Sequence, residues 1–501
     1  MSATTIDPHE SPPSETADAG RSVNRWLVLV IACLAQFMVV LDITVVNIAL
    51  PSVQKGLNFS TANLQWVVNG YTLIFGGFLL LGGRAADLLG RKRLFLAGVV
   101  LFSAASMLNG LAQSSGMLIF GRGLQGLGGA LVSPAALAII TTTFTDASER
   151  TKALGIWSAI AASGSAVGLL LGGVLTDLAS WRWVFFVNVP VGIVTVALAL
   201  RYIAESRVEG IRRSYDLPGA VTVTGGLVVI VYAIVKAQSF GWGSPRTLGL
   251  FAAGLALLAA FVEIERRAQA PLMKLSIFRV RSLAIGDAAL LLIASGMFGM
   301  FYFASLYVQD ILGYSPLKAG LAFLPVTAGI MIGAAAAQQL IKRIGVRNVS
   351  IIGTTLAALG MLVLTQLPVH GSYTSDLLTG LMPLSIGMGL VFVPITLMGT
   401  SGVSADDAGL ASGLFNTAQQ VGGSLGLAIL STLAASRTSH LLSGHSATKV
   451  AATVSGYHVA FLAAAIMFAA AAVLLVVLLR KRHMAEVEQA IESGETAAVV
   501  A

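Results

Sequence analysis

Charge is scarce in this chain, and thiols are scarcer. Only 11% of its 501 residues are Asp, Glu, Lys or Arg, against about a quarter in a soluble domain. That is too little charge to cover a water-exposed globule of this length, so a soluble fold is excluded. The single cysteine, Cys33, excludes an intramolecular disulfide and a metal site built on several thiolates. The six histidines form no ligand-spaced cluster; His440 and His445 share one polar loop, and no metal is expected. No glycine-rich phosphate loop ending in Lys-Ser or Lys-Thr occurs, so neither direct ATP use nor any other cofactor is expected. No nucleophile stands in a His constellation with matching flanks, and the loops are too short for a catalytic domain. The chain is not read as an enzyme.

Apolar residues are what it has. They make up 56% of the sequence, with 54 glycines among the rest, and the mean hydropathy is +0.84. A bilayer crossing takes roughly 20 mostly apolar residues. Fourteen such runs occur, near 26–50, 66–86, 94–112, 117–141, 152–176, 183–203, 217–236, 247–266, 283–311, 318–340, 349–368, 376–399, 408–435 and 457–479. The net charge of +8 would suggest nucleic acid as a partner of a soluble protein. Here the charges lie in short loops between apolar runs, so they report orientation and no nucleic acid is expected. With both termini cytoplasmic, most of the 31 Lys and Arg residues fall on the inside, in clusters such as Arg91-Lys92-Arg93, Arg212-Arg213, Arg266-Arg267 and Arg480-Lys481-Arg482. No cleavable leader precedes the first run, which is expected to act as an uncleaved anchor.

The runs group as six, two and six. Residues 1–24 are expected to form a disordered cytoplasmic tail. Residues 25–205 form a first six-helix bundle, 206–282 a linker with two inserted membrane helices, 283–482 a second six-helix bundle, and 483–501 a cytoplasmic tail. Two bundles around an insertion is a transporter plan. A faint internal echo fits it: Gly90-Arg91-Lys92 follows the second run, and Gly345-Val346-Arg347 stands at the equivalent place in the second half.

Few polar residues interrupt the apolar runs, and each needs a reason. Asp42 lies in the first run, roughly 24 Å along a helix from Trp26. A carboxylate there can take up and release protons, pair with a cationic substrate, or simply meet water near the outer interface. Arg122 opens the fourth run ahead of Gly123-Leu124-Gln125-Gly126; it is either a functional charge or a side chain that snorkels to the interface. Gly164, Gly168 and Gly172-Gly173 recur every four residues and make one flat helix face for close packing. The loop after the second run reads Gly82-Gly83-Arg84-Ala85-Ala86-Asp87-Leu88-Leu89-Gly90-Arg91-Lys92-Arg93. Its glycines permit sharp turns, and its acid sits among bases it can pair with. Gln36, Asn47, Gln125, Gln309, Asn416, Gln419 and Gln420 are candidates to line a cavity, since an unpaired amide is unfavourable in lipid.

These strings together resemble the major facilitator superfamily. The loop after the second run is similar to its signature cytoplasmic gate, and the resemblance assigns Gly83, Asp87, Gly90 and Arg91 to that gate. The span-four string resembles a motif whose Arg is tied to proton coupling. The Gly164–Gly173 spacing resembles the antiporter motif of its drug exporters, with Leu169 where that motif has Pro. Leu41-Asp42-Ile43-Thr44-Val45-Val46-Asn47-Ile48-Ala49-Leu50-Pro51 and Trp181-Arg182-Trp183-Val184-Phe185-Phe186-Val187-Asn188-Val189-Pro190 resemble the fourteen-span drug:proton antiporters of the EmrB/QacA type. The resemblance implies an all-α polytopic fold of two six-helix bundles plus two central helices in a bacterial plasma membrane. It implies proton-driven export of lipophilic drugs or amphipathic small molecules by a monomer, with Asp42 and Arg122 as the coupling residues and the bilayer, protons and substrate as the only partners. A dedicated exporter of one metabolite, antibiotic or lipid, and a non-transporting membrane sensor or scaffold, are the alternatives.

Overall fold

Apolar sequence that must satisfy its own backbone in lipid has one economical solution short of a closed barrel, the helix. In the computed structural model, which describes residues 24–207, 216–268, 271–400, 403, 407–445 and 447–479, every regular element is helical. The long helices are α1 Arg25–Gly56, α2 Trp66–Leu89, α3 Arg91–Gly110, α4 Ser115–Thr143, α5 Ala147–Leu178, α6 Trp183–Tyr202, α7 Leu217–Phe240, α8 Pro245–Arg267, α9 Arg281–Ile311, α10 Pro316–Leu364, α11 Tyr373–Gly399, α12 Ala408–Ser443 and α13 Lys449–Leu478. Eleven of them, all but α5 and α12, are long and apolar enough to cross a membrane among the described residues. Helix α5 has an apolar stretch at Ala166–Leu178, and α12 runs for 36 residues. Residues 1–23 of the first expected tail, the 208–215 and 269–270 stretches of the linker, Arg480-Lys481-Arg482 and the second expected tail lie outside the described residues.

Local chemistry sets the ends. The side chains of Asn24, Ser114, Asp146, Asp216, Ser244, Ser315 and Thr448 each accept a first-turn backbone N–H and start a helix. The runs expected at 318–340 and 349–368 lie in one long helix, α10, broken where Gly345 takes φ 79° and ψ 159°. Helix α1 continues past its expected end at 50 although Pro51 sits inside it. A proline has no N–H, so the carbonyl of Asn47 loses its helical partner. That carbonyl is used elsewhere, as described below.

Helices α1–α6 pack as one bundle and α9–α13 as another, with α7 and α8 paired as a hairpin. Helix α7 lies against α2 of the first bundle and α12 of the second, through Leu73, Leu227, Val231, Val421 and Ala428. The approach is close: a methyl group on Gly77 would lie 2.1 Å from Thr224 Oγ1. Helix α8 stays on the periphery.

The two largest apolar cores divide the first bundle along α1. The core toward the beginning of α1 belongs to the first bundle alone, with Leu29, Ala32, Phe95, Phe102, Ile140 and Phe144. The core toward the end of α1 is shared, joining Val45, Leu50 and Phe185 of the first bundle to Phe303, Tyr307 and Phe323 of the second. The bundles are therefore welded across the later half of α1, and they also touch along α2 and α12, where Thr417 donates to the Gly76 carbonyl at 3.2 Å and a methyl on Gly413 would lie 2.6 Å from Leu80.

Candidate functional site

The shared core begins just beyond a polar knot in the first bundle. Asp42, wholly buried on α1, pairs with the guanidinium of Arg122 on α4, itself 1% exposed. Gln125, one turn after Arg122, donates to Asp42 Oδ1 at 2.6 Å and accepts from Arg122 Nη1 at 2.9 Å. Asn188, at the start of the main body of α6, donates to the same Asp42 oxygen at 3.0 Å and to Ser106 of α3 at 3.0 Å. Asn109 of α3 donates to Gln125 Oε1 at 2.8 Å. Arg122 Nε reaches the carbonyl of Val67 on α2 at 2.8 Å, and its guanidinium lies 4.4 Å from the centre of the Tyr71 ring. Five helices thus meet on one ion pair.

Burial makes this arrangement consequential. Two charges taken from water are costly unless each is paired and further hydrogen-bonded, and losing one partner costs about 3–5 kcal/mol. Here the carboxylate accepts from Arg122, Gln125 and Asn188. Arg122 is too deeply buried to snorkel, and Asp42 meets a cation rather than water. Gln125 belongs to the ion pair. Asn188, Ser106, Asn109 and Tyr71 had no role assigned from sequence; their common signal was a polar atom in an apolar run.

The knot connects to the weld between bundles within two turns of α1. The Asn47 carbonyl freed by Pro51 accepts from Ser305 Oγ on α9 at 2.9 Å, and the next carbonyl, Ile48, accepts from Gln309 Nε2 at 2.9 Å. Beyond them Lys55 faces Asp310 at 3.7 Å. The glycines of α5 serve the same region. Methyl groups on Gly168 and Gly172 would strike Thr44 Oγ1 at 1.9 Å and the Val45 carbonyl at 2.8 Å, while one on Gly164 would press on Phe37. Gly173 turns to the second bundle, where a methyl would lie 2.7 Å from the Pro316 carbonyl. The flat face therefore seats α5 on the Asp42 helix and on α10 together.

The expected gate residues form a separate group at the other face. Arg91 Nη2 donates to Asp87 Oδ1 at 3.0 Å. Gly90 takes φ 107°, and Glu205 accepts from the N–H groups of Lys92 and Arg93 at 3.1 Å each, capping α3. Close approach falls on Gly82, where a methyl would lie 2.1 Å from the Ala130 carbonyl, whereas one on Gly83 would stay 3.7 Å from Pro134. The remaining polar candidates are spread out. Gln36 accepts from Ser133 at 2.9 Å, and Asn416 donates to the Ser412 carbonyl at 2.9 Å. Gln419 is partly exposed, and Gln420 is buried against Gly76 with its Oε1 unpartnered.

Two bundles, an inserted hairpin and a buried ion pair invite comparison with known proteins. The family profile of the Major Facilitator Superfamily matches residues 32–427. The chain belongs to this superfamily. A superfamily member is a multi-pass membrane transporter rather than an enzyme, and the all-helical fold agrees. Among its relatives, the puromycin resistance protein pur8 of Streptomyces alboniger is 41% identical over 489 residues, covering 96% of each chain. The cephamycin export protein CmcT of Amycolatopsis lactamdurans is 41% identical over 429 residues, covering 85% of this chain and 88% of that one. The tetracenomycin C resistance and export protein of Streptomyces glaucescens is 36% identical over 433 residues, 86% of this chain and 80% of that one. Among solved structures, a bacterial homologue of the human lysosomal transporter Spinster aligns over 93% of this chain and 98% of its own with a TM-score of 0.63 at 16% identity. At that identity the likeness concerns the superfamily fold alone.

Proposed function

We propose that this transporter is a proton-coupled antiporter that exports lipophilic drugs or amphipathic small molecules across a bacterial plasma membrane. The observation that carries the reading is the Asp42–Arg122 pair, buried and gripped by five helices. Protonation of Asp42 removes one charge of the pair and turns an acceptor oxygen into a donor. Arg122, Gln125 and Asn188 must then find other partners, and the α1 segment leading to Asn47 and Ile48 loses its anchor. That segment holds the second bundle through Ser305 and Gln309, so a proton on Asp42 favours release of the weld and a change of open face.

The fourteen-span reading takes the eleven apolar helices, adds α5 and α12, and counts α10 as two arms about Gly345. Both termini are then cytoplasmic, the Asp87–Arg91 loop is cytoplasmic, and the weld faces outward. In this reading the protein works as a monomer, driven by the proton gradient and without ATP. The drug-export assignment draws on relatives whose names state resistance or export. Those names also favour a second reading, in which the substrate is one dedicated antibiotic.

Cells lacking their own pumps, loaded with a fluorescent lipophilic cation, test the proposal. Intact chain exports the dye, and both a protonophore and Asp42→Asn abolish export. No export above empty vector rejects this substrate class and moves the weight to a dedicated antibiotic; export that survives the protonophore rejects proton coupling.

A further inference from the structure

The second bundle hides a carboxylate of a different kind. Asp287 lies on α9, about 9 Å along the helix from Arg281, and is 6% exposed. Among the described residues neither of its oxygens has a hydrogen-bond partner. Its surroundings are apolar and tight. A methyl group on Gly399, at the end of α11, would lie 3.2 Å from Asp287 Oδ1 and 2.6 Å from the ring of Phe415 on α12. Met398 closes on the adjacent Gly286, where a methyl would lie 3.1 Å from its Cβ.

Charged neighbours do not rescue it. On α9 the other charges, Arg281 and Asp310, stand at the two ends, and Asp310 faces Lys55. On α11 the only charge is Asp376, at its far end, where it accepts from Ser372 N. On α12, Asp407 is engaged by Lys274 at 2.6 Å, while Arg437 bonds Ser455 and His440 lies beyond it toward the far end. On α13, which also packs on α9, the charged or titratable groups are Lys449 at its start and His458, whose Nε2 lies 2.7 Å from the Leu367 carbonyl, and the short turn Leu275–Arg279 before α9 ends on the exposed Arg279. Among the described residues no cation is paired with Asp287. An ionised carboxylate buried with no donor and no counter-ion is strongly unfavourable. Asp42 solves that problem with Arg122, Gln125 and Asn188; Asp287 has no such means.

We propose that Asp287 is a second proton-binding site, held in the second bundle and occupied in the conformation described here. The proton sits on the carboxyl while α9, α11 and α12 are closed around it. It passes to water, leaving the carboxylate, when the ends of α9 and α11 part at Gly286 and Gly399. The transport consequence rests on the proton-coupled reading above; the occupancy does not.

Infrared spectroscopy of the full chain in lipid reads the occupancy directly. At neutral pH exposed carboxylates are ionised, so the C=O stretch of a carboxylic acid reports buried protonated groups. Wild type should show such a band, Asp287→Asn should lack that component, and Asp287→Glu should restore it at a shifted frequency. An acid band identical in wild type and Asp287→Asn overturns the proposal, as does a band that disappears over the same pH range as the exposed carboxylates. The Glu variant guards against misfolding of the Asn variant. For the role in transport, vesicles containing Asp287→Asn should exchange substrate within about two-fold of wild type yet fail to accumulate it against a gradient when a pH difference is imposed. Accumulation equal to wild type would leave Asp287 without a part in coupling. The infrared result does not depend on whether any drug is exported, so failure of this inference is distinguishable from failure of the proposed function.

Discussion

The two bundles share a joint but tie it with opposite chemistry. In the first, Gly90 turns the chain at φ 107°, and Glu205, from beyond the end of α6, caps the N-terminus of α3. In the second, Gly345 turns it at φ 79°, and Arg347 donates to the carbonyls of Leu479 and Val476 at 2.6 and 2.9 Å, at the end of α13. Each joint binds the start of a bundle's third helix to the end of its sixth. One uses an anion at a helix N-terminus and the other a cation at a helix C-terminus, the two arrangements that the helix dipole favours. The repeat therefore preserves a geometry, not a set of residues. The interiors diverge further: the first bundle encloses a carboxylate with three side-chain donors, and the second a carboxylate with none. Bundles of the same architecture have been given different electrostatic tasks.

Substitutions can break this comparison in order of size. Arg122→Ala strands Asp42 as a lone buried charge and should destabilise the protein by about 3–5 kcal/mol, read as a large fall in the thermal midpoint in detergent; Asp42→Asn together with Arg122→Ala should recover part of it. A midpoint unchanged by Arg122→Ala would mean that the pair is not buried as described. Gly90→Ala comes next. It forces a side chain into a left-handed backbone, at a cost of about 1–3 kcal/mol, and its methyl would meet Glu205 at 2.5 Å. Gly345→Ala carries the same backbone strain at φ 79° with no Glu205 beside it and should cost less, so equal losses would deny Glu205 its place at the first joint. The smallest effects come from the ties themselves. Glu205→Gln and Arg347→Gln should each cost about 1 kcal/mol or less, with the difference shrinking as salt is raised. Insensitivity of both to salt would argue that the dipole contributes nothing.

Much of the architecture was legible because lipid imposes a strict rule. Apolar runs of about 20 residues mark where the membrane helices lie. The glycine echo at 90 and 345 marked the two joints correctly, since only a turn demands glycine there. Their partners were invisible: Glu205 reads as a loop acid, and Leu479 and Val476 contribute only backbone. The candidate site was half legible. Asp42 and Arg122 stood out as charges in apolar sequence, but pairing them requires knowing that α1 and α4 touch. Gln125 was placed with the cavity candidates because an amide gives no hint of which neighbour it serves. Pro51 stands in the sequence only as the close of the first run's motif, and its effect, an Asn47 carbonyl free to accept from Ser305, appears only with α9 beside it. Asp287 passed unremarked at the start of a run, where acids usually meet water.

The most direct test of the account is a proton count in sealed proteoliposomes. With a pH-sensitive dye trapped inside and a lipophilic cation added outside, wild type should move protons against substrate in proportion to substrate flux. Asp42→Asn should bind substrate and move none. Substrate-linked proton movement in Asp42→Asn equal to wild type would contradict the account, because the Asp42–Arg122 pair would then be a brace of the first bundle and not its coupling device.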